Sequence, residues 1–246
     1  MKLFYEINFS ALSSEEKVKF VYGLRNNAAE SFADKPASVQ LLAHTLIFTR
    51  WWNSYKHMAP KEPIPEILGI AIELLWDFQE GKCKEKEFAR FQKSVCDSAL
   101  EILTGDDSEL NEDPKSDAFS RKYFTPWEAI SYNVFLSNLC TVLEEAVSRD
   151  FTWDAVEGVI YGDIGDTMIA FFETVYRSPD GRSRSCDIER REKDTYSTPT
   201  FAQVIALLQQ DMRTALEDAS LSELRAQYRN EYLFSPEESA KISDYR

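Results

Sequence analysis

The chain has 246 residues, of which 43% are hydrophobic and 28% charged, and its 42 acids against 28 bases give a formal net charge of −14. This composition is typical of a soluble globular protein and excludes an intrinsically disordered chain. The negative charge disfavours binding to nucleic acid or to an anionic membrane, because both would be repelled.

The first hundred residues predict long helices after a short irregular start. Alternating apolar residues over 3–9 (LFYEINF) favour a minor strand. Ser13 and Glu16 have the spacing of a capping box at the start of a helix. Apolar residues then recur at helical spacing over three stretches: 37–58, 67–78 and 88–103.

The acidic segment 104–117 has the composition of an exposed loop and is a candidate sub-boundary within one domain of residues 1–246. Helices are expected after it, from Pro126, near 152–160, near 165–177, from Pro199 and after Ser235. The polar stretch 178–199 predicts a loop, in which bases alternate with acids, so a nucleic-acid patch is not expected. The predicted fold is mainly α, a bundle of about nine or ten helices, and it allows a minor β element.

The amino terminus lacks the apolar core and the small-residue cleavage site of a signal peptide, and no apolar run is long enough to span a membrane. The four cysteines show no CxxC spacing, and three of them lie in apolar helical contexts. Reduced, buried thiols and a cytoplasmic location are therefore expected.

Catalytic motifs are not evident in the sequence. Only two histidines are present, and the spacing of His44 and His57 does not suit a helical metal pair. His44 lies within an apolar helical pattern and is expected in the core. The sequence contains no GxxxxGK[ST] or GxGxxG loop for phosphates. We therefore expect a protein that is not an enzyme and has no cofactor.

The negative charge is concentrated in residues 105–175, which hold 15 acids against four bases. The acids in part of this region predict a docking surface for a basic protein partner, with aromatic residues as anchors beside the charges. The simpler explanation is a solvated face that keeps the protein soluble. The candidate partner-binding residues are Glu144, Glu145, Asp150, Trp153, Asp154, Glu157, Tyr161, Asp163 and Asp166.

A second hypothesis is a helical enzyme that uses carboxylates and a divalent metal. The pairs Asp154 with Glu157 and Asp163 with Asp166 have i, i+3 spacing, so each pair could share a hard cation. Acids at helix starts also stabilise a helix by their favourable interaction with its dipole, without any cation, so this spacing is weak evidence for a metal site.

A third hypothesis is a module that binds a small ligand in an apolar cavity. Four aromatic residues could line such a cavity: Trp51, Trp52, Tyr55 and Trp76. Aromatic residues at helical spacing are more often simply part of the hydrophobic core.

In overall profile the chain resembles the immunity proteins of bacterial polymorphic-toxin systems, which are compact, often acidic and free of catalytic motifs. The resemblance extends over the whole chain and involves no diagnostic motif, so it assigns no individual residue. It implies a protein that binds a cognate toxin and blocks its active site.

Overall fold

The computed structural model describes residues 3–58, 66–104, 126–160 and 188–239. Every regular element in these ranges is helical, so the prediction of a mainly α bundle is confirmed. In chain order the helices are α1 (Ser14–Tyr22), α2 (Leu24–Phe32), α3 (Ala37–Met58), α4 (Glu66–Gln79), α5 (Glu85–Thr104), α6 (Pro126–Ser148), α7 (Asp154–Glu157), α8 (Ile188–Tyr196), α9 (Pro199–Thr214) and α10 (Leu221–Tyr228).

Capping side chains determine where several helices begin. The Ser13 hydroxyl accepts the amide hydrogen of Glu16 at 3.3 Å, and the Glu16 carboxylate accepts that of Ser13 at 2.8 Å. At the start of α9, the Thr198 hydroxyl caps the helix just before Pro199 at its first position. The predicted capping box and the start of the long helix at Pro199 are therefore confirmed.

The minor strand expected over residues 3–9 is not formed. This segment makes two 3-10 turns, Phe4–Glu6 and Phe9–Ala11. Its backbone is satisfied by side chains of other helices, since Gln209 Nε2 on α9 donates to the carbonyls of Phe4 at 2.8 Å and Ile7 at 2.9 Å. A strand needs a neighbouring strand for its backbone hydrogen bonds, and the described residues provide helices instead.

The polar stretch expected to be a loop, 178–199, contains α8 in its described part. Helix α8 packs against α1, where the Tyr22 hydroxyl donates to the Glu192 carboxylate at 2.6 Å. Tyr196 at its end is fully buried and packs against Phe201, with the two rings tilted and their centroids 4.6 Å apart. Tertiary contacts on one face therefore stabilise a helix whose charged composition predicts a loop.

Helix α3 is the centre of the bundle and packs against α4, α6, α9 and α10. Residues 41–51 of α3 are all buried, so this helix is enclosed on every side along its middle. Helices α5 and α6, which precede and follow the acidic segment 104–117, pack against each other, and both contribute to one hydrophobic cluster. From residue 105 onwards that segment lies outside the described residues.

A buried ionic network fastens α3 to the C-terminal helices. The fully buried guanidinium of Arg50 donates to the Asp211 carboxylate through Nε at 3.0 Å and Nη2 at 2.8 Å. Its Nη1 donates to Glu231 at 2.7 Å, and the Tyr228 hydroxyl donates to Asp211 at 2.6 Å. Bidentate geometry with additional hydrogen bonds is what a charged pair needs in order to be tolerated in a core.

The described residues contain neither a membrane-spanning helix nor a fully buried cysteine. None of their helices is long and apolar enough to cross a membrane. Cys83, Cys96 and Cys140 form no disulfide and are half-buried, so they are less buried than expected, although Cys83 and Cys140 pack against the hydrophobic cluster. Cys186 lies outside the described ranges.

Candidate functional site

The predicted docking residues 144–157 span the end of α6, a connecting loop of residues 149–153, and α7. The loop begins and ends with a residue in the left-handed backbone region, Arg149 (φ 63°) and Trp153 (φ 65°). Residues other than glycine rarely adopt this conformation, so surrounding contacts must hold it in place. The two residues allow the chain to turn back at the end of α6 and begin α7.

Two of the predicted docking residues are buried, so their assignment to an exposed surface is wrong. Trp153 is fully buried, with its ring centroid 4.8 Å from that of Phe32 and 4.4 Å from that of His44. Glu145 faces inward, where its Oε1 accepts hydrogen bonds from the backbone amide of Thr152 at 2.8 Å and from its hydroxyl at 2.6 Å. The inward face of α6 and the left-handed conformation of Trp153 place both side chains in the core.

Glu144, Asp150 and Asp154 remain exposed on this part of the molecule, and Glu157 is half-buried. Asp154 has few bases near it in the sequence, but the fold supplies one, since Arg25 on α2 lies 2.7 Å from its carboxylate. Burial raises the pKa of Glu157, an effect that Arg25 partly offsets. Three-dimensional folding therefore neutralises part of the acidic segment from a distant helix.

The Arg25–Asp154 pair should contribute little to stability. Its side chains are 48% and 47% exposed, so water and salt screen the interaction. We expect Arg25→Gln to lower the free energy of unfolding by at most about 1 kcal/mol, as measured by urea denaturation at low salt. The difference should shrink further in high salt; a larger cost that persists there would mean that Arg25 holds α2 against α7 by packing.

Glu144 and Asp150 differ from Asp154, the third exposed acid of this segment, because no base pairs with them. They lie at the carboxyl end of α6, where the helix dipole is negative and where the last turn carries no basic residue. Among the described residues neither carboxylate has an ion-pair partner. Arg149, the one base within 144–157, lies 5.0 Å from the Phe78 ring centroid and 4.0 Å from Glu85. This end of α6 is therefore strongly negative.

The remaining predicted site residues, Tyr161, Asp163 and Asp166, lie outside the described residues. The metal hypothesis therefore has only Asp154 and Glu157 in the described part of the chain. Within that part, no group of three or more histidine, cysteine, aspartate or glutamate side chains could hold a metal ion.

The aromatic cavity of the ligand-binding hypothesis is not formed as expected. Trp51 and Trp76 are fully buried and Tyr55 is nearly so, which makes them part of the core. Trp52 instead lies at an open groove of about 630 Å³, lined by Trp52, Lys56, Gly69, Ile70, Glu73, Leu74 and Asp77. Gly69 keeps this groove open over the indole, since a Cβ there would lie 3.2 Å from Trp52 Cζ2.

The contact that sequence analysis missed joins His44 on α3 to Glu145 on α6, with 3.6 Å between Nε2 and Oε2. His44 was expected in the core, and it is fully buried there. No local pattern connects these two residues, because their contact depends on the packing of α3 against α6. The apolar pattern around His44 predicts its burial, but nothing in the sequence near Glu145 predicts that this carboxylate is buried beside it.

Comparisons with known proteins assign no family to the chain. No protein-family model, no curated protein and no solved structure matches it. The inference of function therefore rests on the charges and contacts of the described residues.

Proposed function

We propose that this protein binds a basic protein partner through an acidic surface formed by Glu144, Asp150 and Asp154, and that binding neutralises the partner. This is the activity implied by the resemblance to immunity proteins of bacterial polymorphic-toxin systems. The observation that carries the proposal is the exposure of Glu144 and Asp150 at the negative end of α6 without a neutralising base. A basic partner would supply the positive charge that the fold does not place beside these two carboxylates.

The position of these acids favours a binding role over a general role in solubility. Acids near the carboxyl end of a helix cost about 0.3–1 kcal/mol each, because they oppose the helix dipole. Acids that do not oppose a helix dipole would keep the protein soluble equally well. By contrast, Asp154 and Glu157 lie in the first turn of α7, where the dipole stabilises them. Glu144 and Asp150 therefore support a binding surface more strongly than Asp154 and Glu157 do.

An interface of this kind also needs an apolar anchor beside the charges. Trp153 does not provide one, because it is buried in the free protein. Phe151 follows Asp150 in the same loop and is only half-buried, with its ring centroid 5.3 Å from that of His44. We therefore assign the anchoring role to Phe151 in the proposed interface.

The proposal predicts salt-sensitive capture of a basic protein that depends on two specific carboxylates. The immobilised 246-residue chain would be exposed to lysate of the source cell at low ionic strength, and bound proteins would be eluted with a salt gradient. We expect Glu144→Gln with Asp150→Asn to weaken retention about tenfold or more, because charged contacts at an interface set association rate and salt dependence. The captured protein's own activity should be suppressed when the unmodified chain is added.

Glu217→Gln with Asp218→Asn is the matched control. Both residues are exposed, both follow the end of α9, and the double substitution changes the net charge by the same amount. It should leave retention close to that of the unmodified protein. Equal losses from the two double variants would show that net charge alone is responsible, and no loss from either would reject this surface.

A further inference from the structure

His44 and Glu145 form a buried polar pair with two facing atoms that lack hydrogen-bond partners. Their side chains are 0% and 6% exposed, and His44 Nε2 lies 3.6 Å from Glu145 Oε2. Neither atom has a hydrogen-bond partner elsewhere. Unpaired polar atoms in a core destabilise the fold, and the protonation state of this pair decides whether the two atoms can hydrogen-bond to each other.

The other hydrogen bonds of the pair determine where a proton can sit. His44 Nδ1 lies 2.8 Å from the carbonyl oxygen of Gln40, which can only accept, so Nδ1 carries the ring hydrogen. Glu145 Oε1 accepts two hydrogen bonds from Thr152, which leaves Oε2 as the oxygen that can be protonated. With a neutral imidazole and an ionised carboxylate, two acceptors would face each other.

We propose that His44 and Glu145 share one proton between Nε2 and Oε2, and that this proton acts as a pH-sensitive latch between α3 and the end of α6. With the proton, the pair is electrically neutral as a whole, whichever atom carries it. Without the proton, it places a net negative charge on the buried Glu145 carboxylate, beside the His44 ring that packs against Phe151 and Trp153. A movement of less than about 1 Å would bring the two atoms to hydrogen-bond distance.

The surrounding charges favour retention of the proton. Burial raises the pKa of Glu145, and Asp154 on α7 and Asp150 in the loop raise it further, against the hydrogen bonds from Thr152 that lower it. Burial lowers the pKa of His44 to about 4. Two bases of this region are engaged elsewhere, since Arg25 of α2 pairs with Asp154, and Arg149 lies beside Phe78 of α4 and Glu85 of α5. A neutral carboxylic acid that donates to a neutral imidazole fits these surroundings.

The raised pKa of Glu145 gives this one group a defined contribution to the pH dependence of stability, which the lowered pKa of His44 opposes below about pH 6.5 and which the comparison with a Glu145 variant isolates. The unfolded chain loses the Glu145 proton near the ordinary pKa of 4.5, whereas the folded protein keeps it to higher pH. The stabilisation from this group is therefore complete below about pH 4.5 and is lost as the pH rises through the folded pKa. Across that interval its contribution to the folding equilibrium constant falls about tenfold per pH unit.

The variant Glu145→Gln tests the latch, because the amide can accept from Thr152 and donate to His44 Nε2 without titrating. Urea unfolding of the full chain would be measured between about pH 5 and 8. We expect the folding constant of E145Q, divided by that of the unmodified protein, to rise about tenfold per pH unit until the folded pair loses its proton. For E144Q, which changes an adjacent but exposed carboxylate, the same ratio should show no such rise.

A second measurement decides the question if E145Q does not fold. Nitrogen-15 shifts of the His44 ring and the carbon-13 shift of the Glu145 carboxyl would be recorded on the unmodified protein near neutral pH. One proton shared by the two groups supports the latch. A neutral His44 beside an ionised Glu145 would overturn it, as would a folding-constant ratio for E145Q that does not change with pH.

Discussion

Replacing Arg50 with Met is expected to lower the free energy of unfolding by about 3–5 kcal/mol, because it leaves a buried charge without its partner. The Asp211 carboxylate would keep only the Tyr228 hydroxyl of its present contacts in the network. The substitution also removes the hydrogen bonds from Arg50 to Glu231 and to the carbonyl of Tyr232. Urea denaturation monitored by circular dichroism at neutral pH would measure the change.

The double variant Arg50→Met with Asp211→Asn separates the unpaired charge from the loss of packing. Asparagine retains an acceptor for the Tyr228 hydroxyl but carries no charge, so the double variant should be more stable than Arg50→Met alone. Arg229→Met, at an exposed position just after α10, should change stability by less than about 0.5 kcal/mol. A cost for Arg50→Met as small as that of Arg229→Met would mean that water reaches Asp211.

Replacing Trp153 with Ala is expected to cost about 3–5 kcal/mol of stability, as large-to-small changes of buried aromatic residues do. The indole is fully buried between Phe32 of α2 and His44 of α3, so its removal would leave a cavity among three elements of the core. If Trp153 were instead a surface anchor, the same change would weaken partner binding and leave stability nearly unchanged. Urea denaturation distinguishes the two outcomes directly.

Phe151→Ala is the comparison for this experiment, because Phe151 belongs to the same loop but is half-buried. It should cost clearly less stability than Trp153→Ala, since less apolar surface leaves water when the ring packs. In the capture experiment the order should be reversed, with Phe151→Ala reducing retention while the protein stays folded. A stability for Trp153→Ala close to that of the unmodified protein would contradict the buried position.

Much of the helical framework could be predicted from local sequence. The apolar repeat over 37–58 matches α3, and the capping box of Ser13 and Glu16 marks the start of α1. Such signals are reliable because they depend on residues three or four positions apart, which meet within one helix. Helix α8 and the 3-10 turns at the amino terminus were not predicted, because their backbone and side chains are stabilised by α1, α2 and α9.

The acidic character of the chain and its concentration after residue 104 are determined by the sequence alone, because charge depends only on composition and order. Which carboxylates reach solvent was decided by the tertiary structure. Glu144 and Glu145 are neighbours in sequence, yet successive residues point to different sides of a helix, and only the packing of α6 against α3 makes one side the interior. The same packing brings His44 to Glu145, a contact that no local pattern could predict.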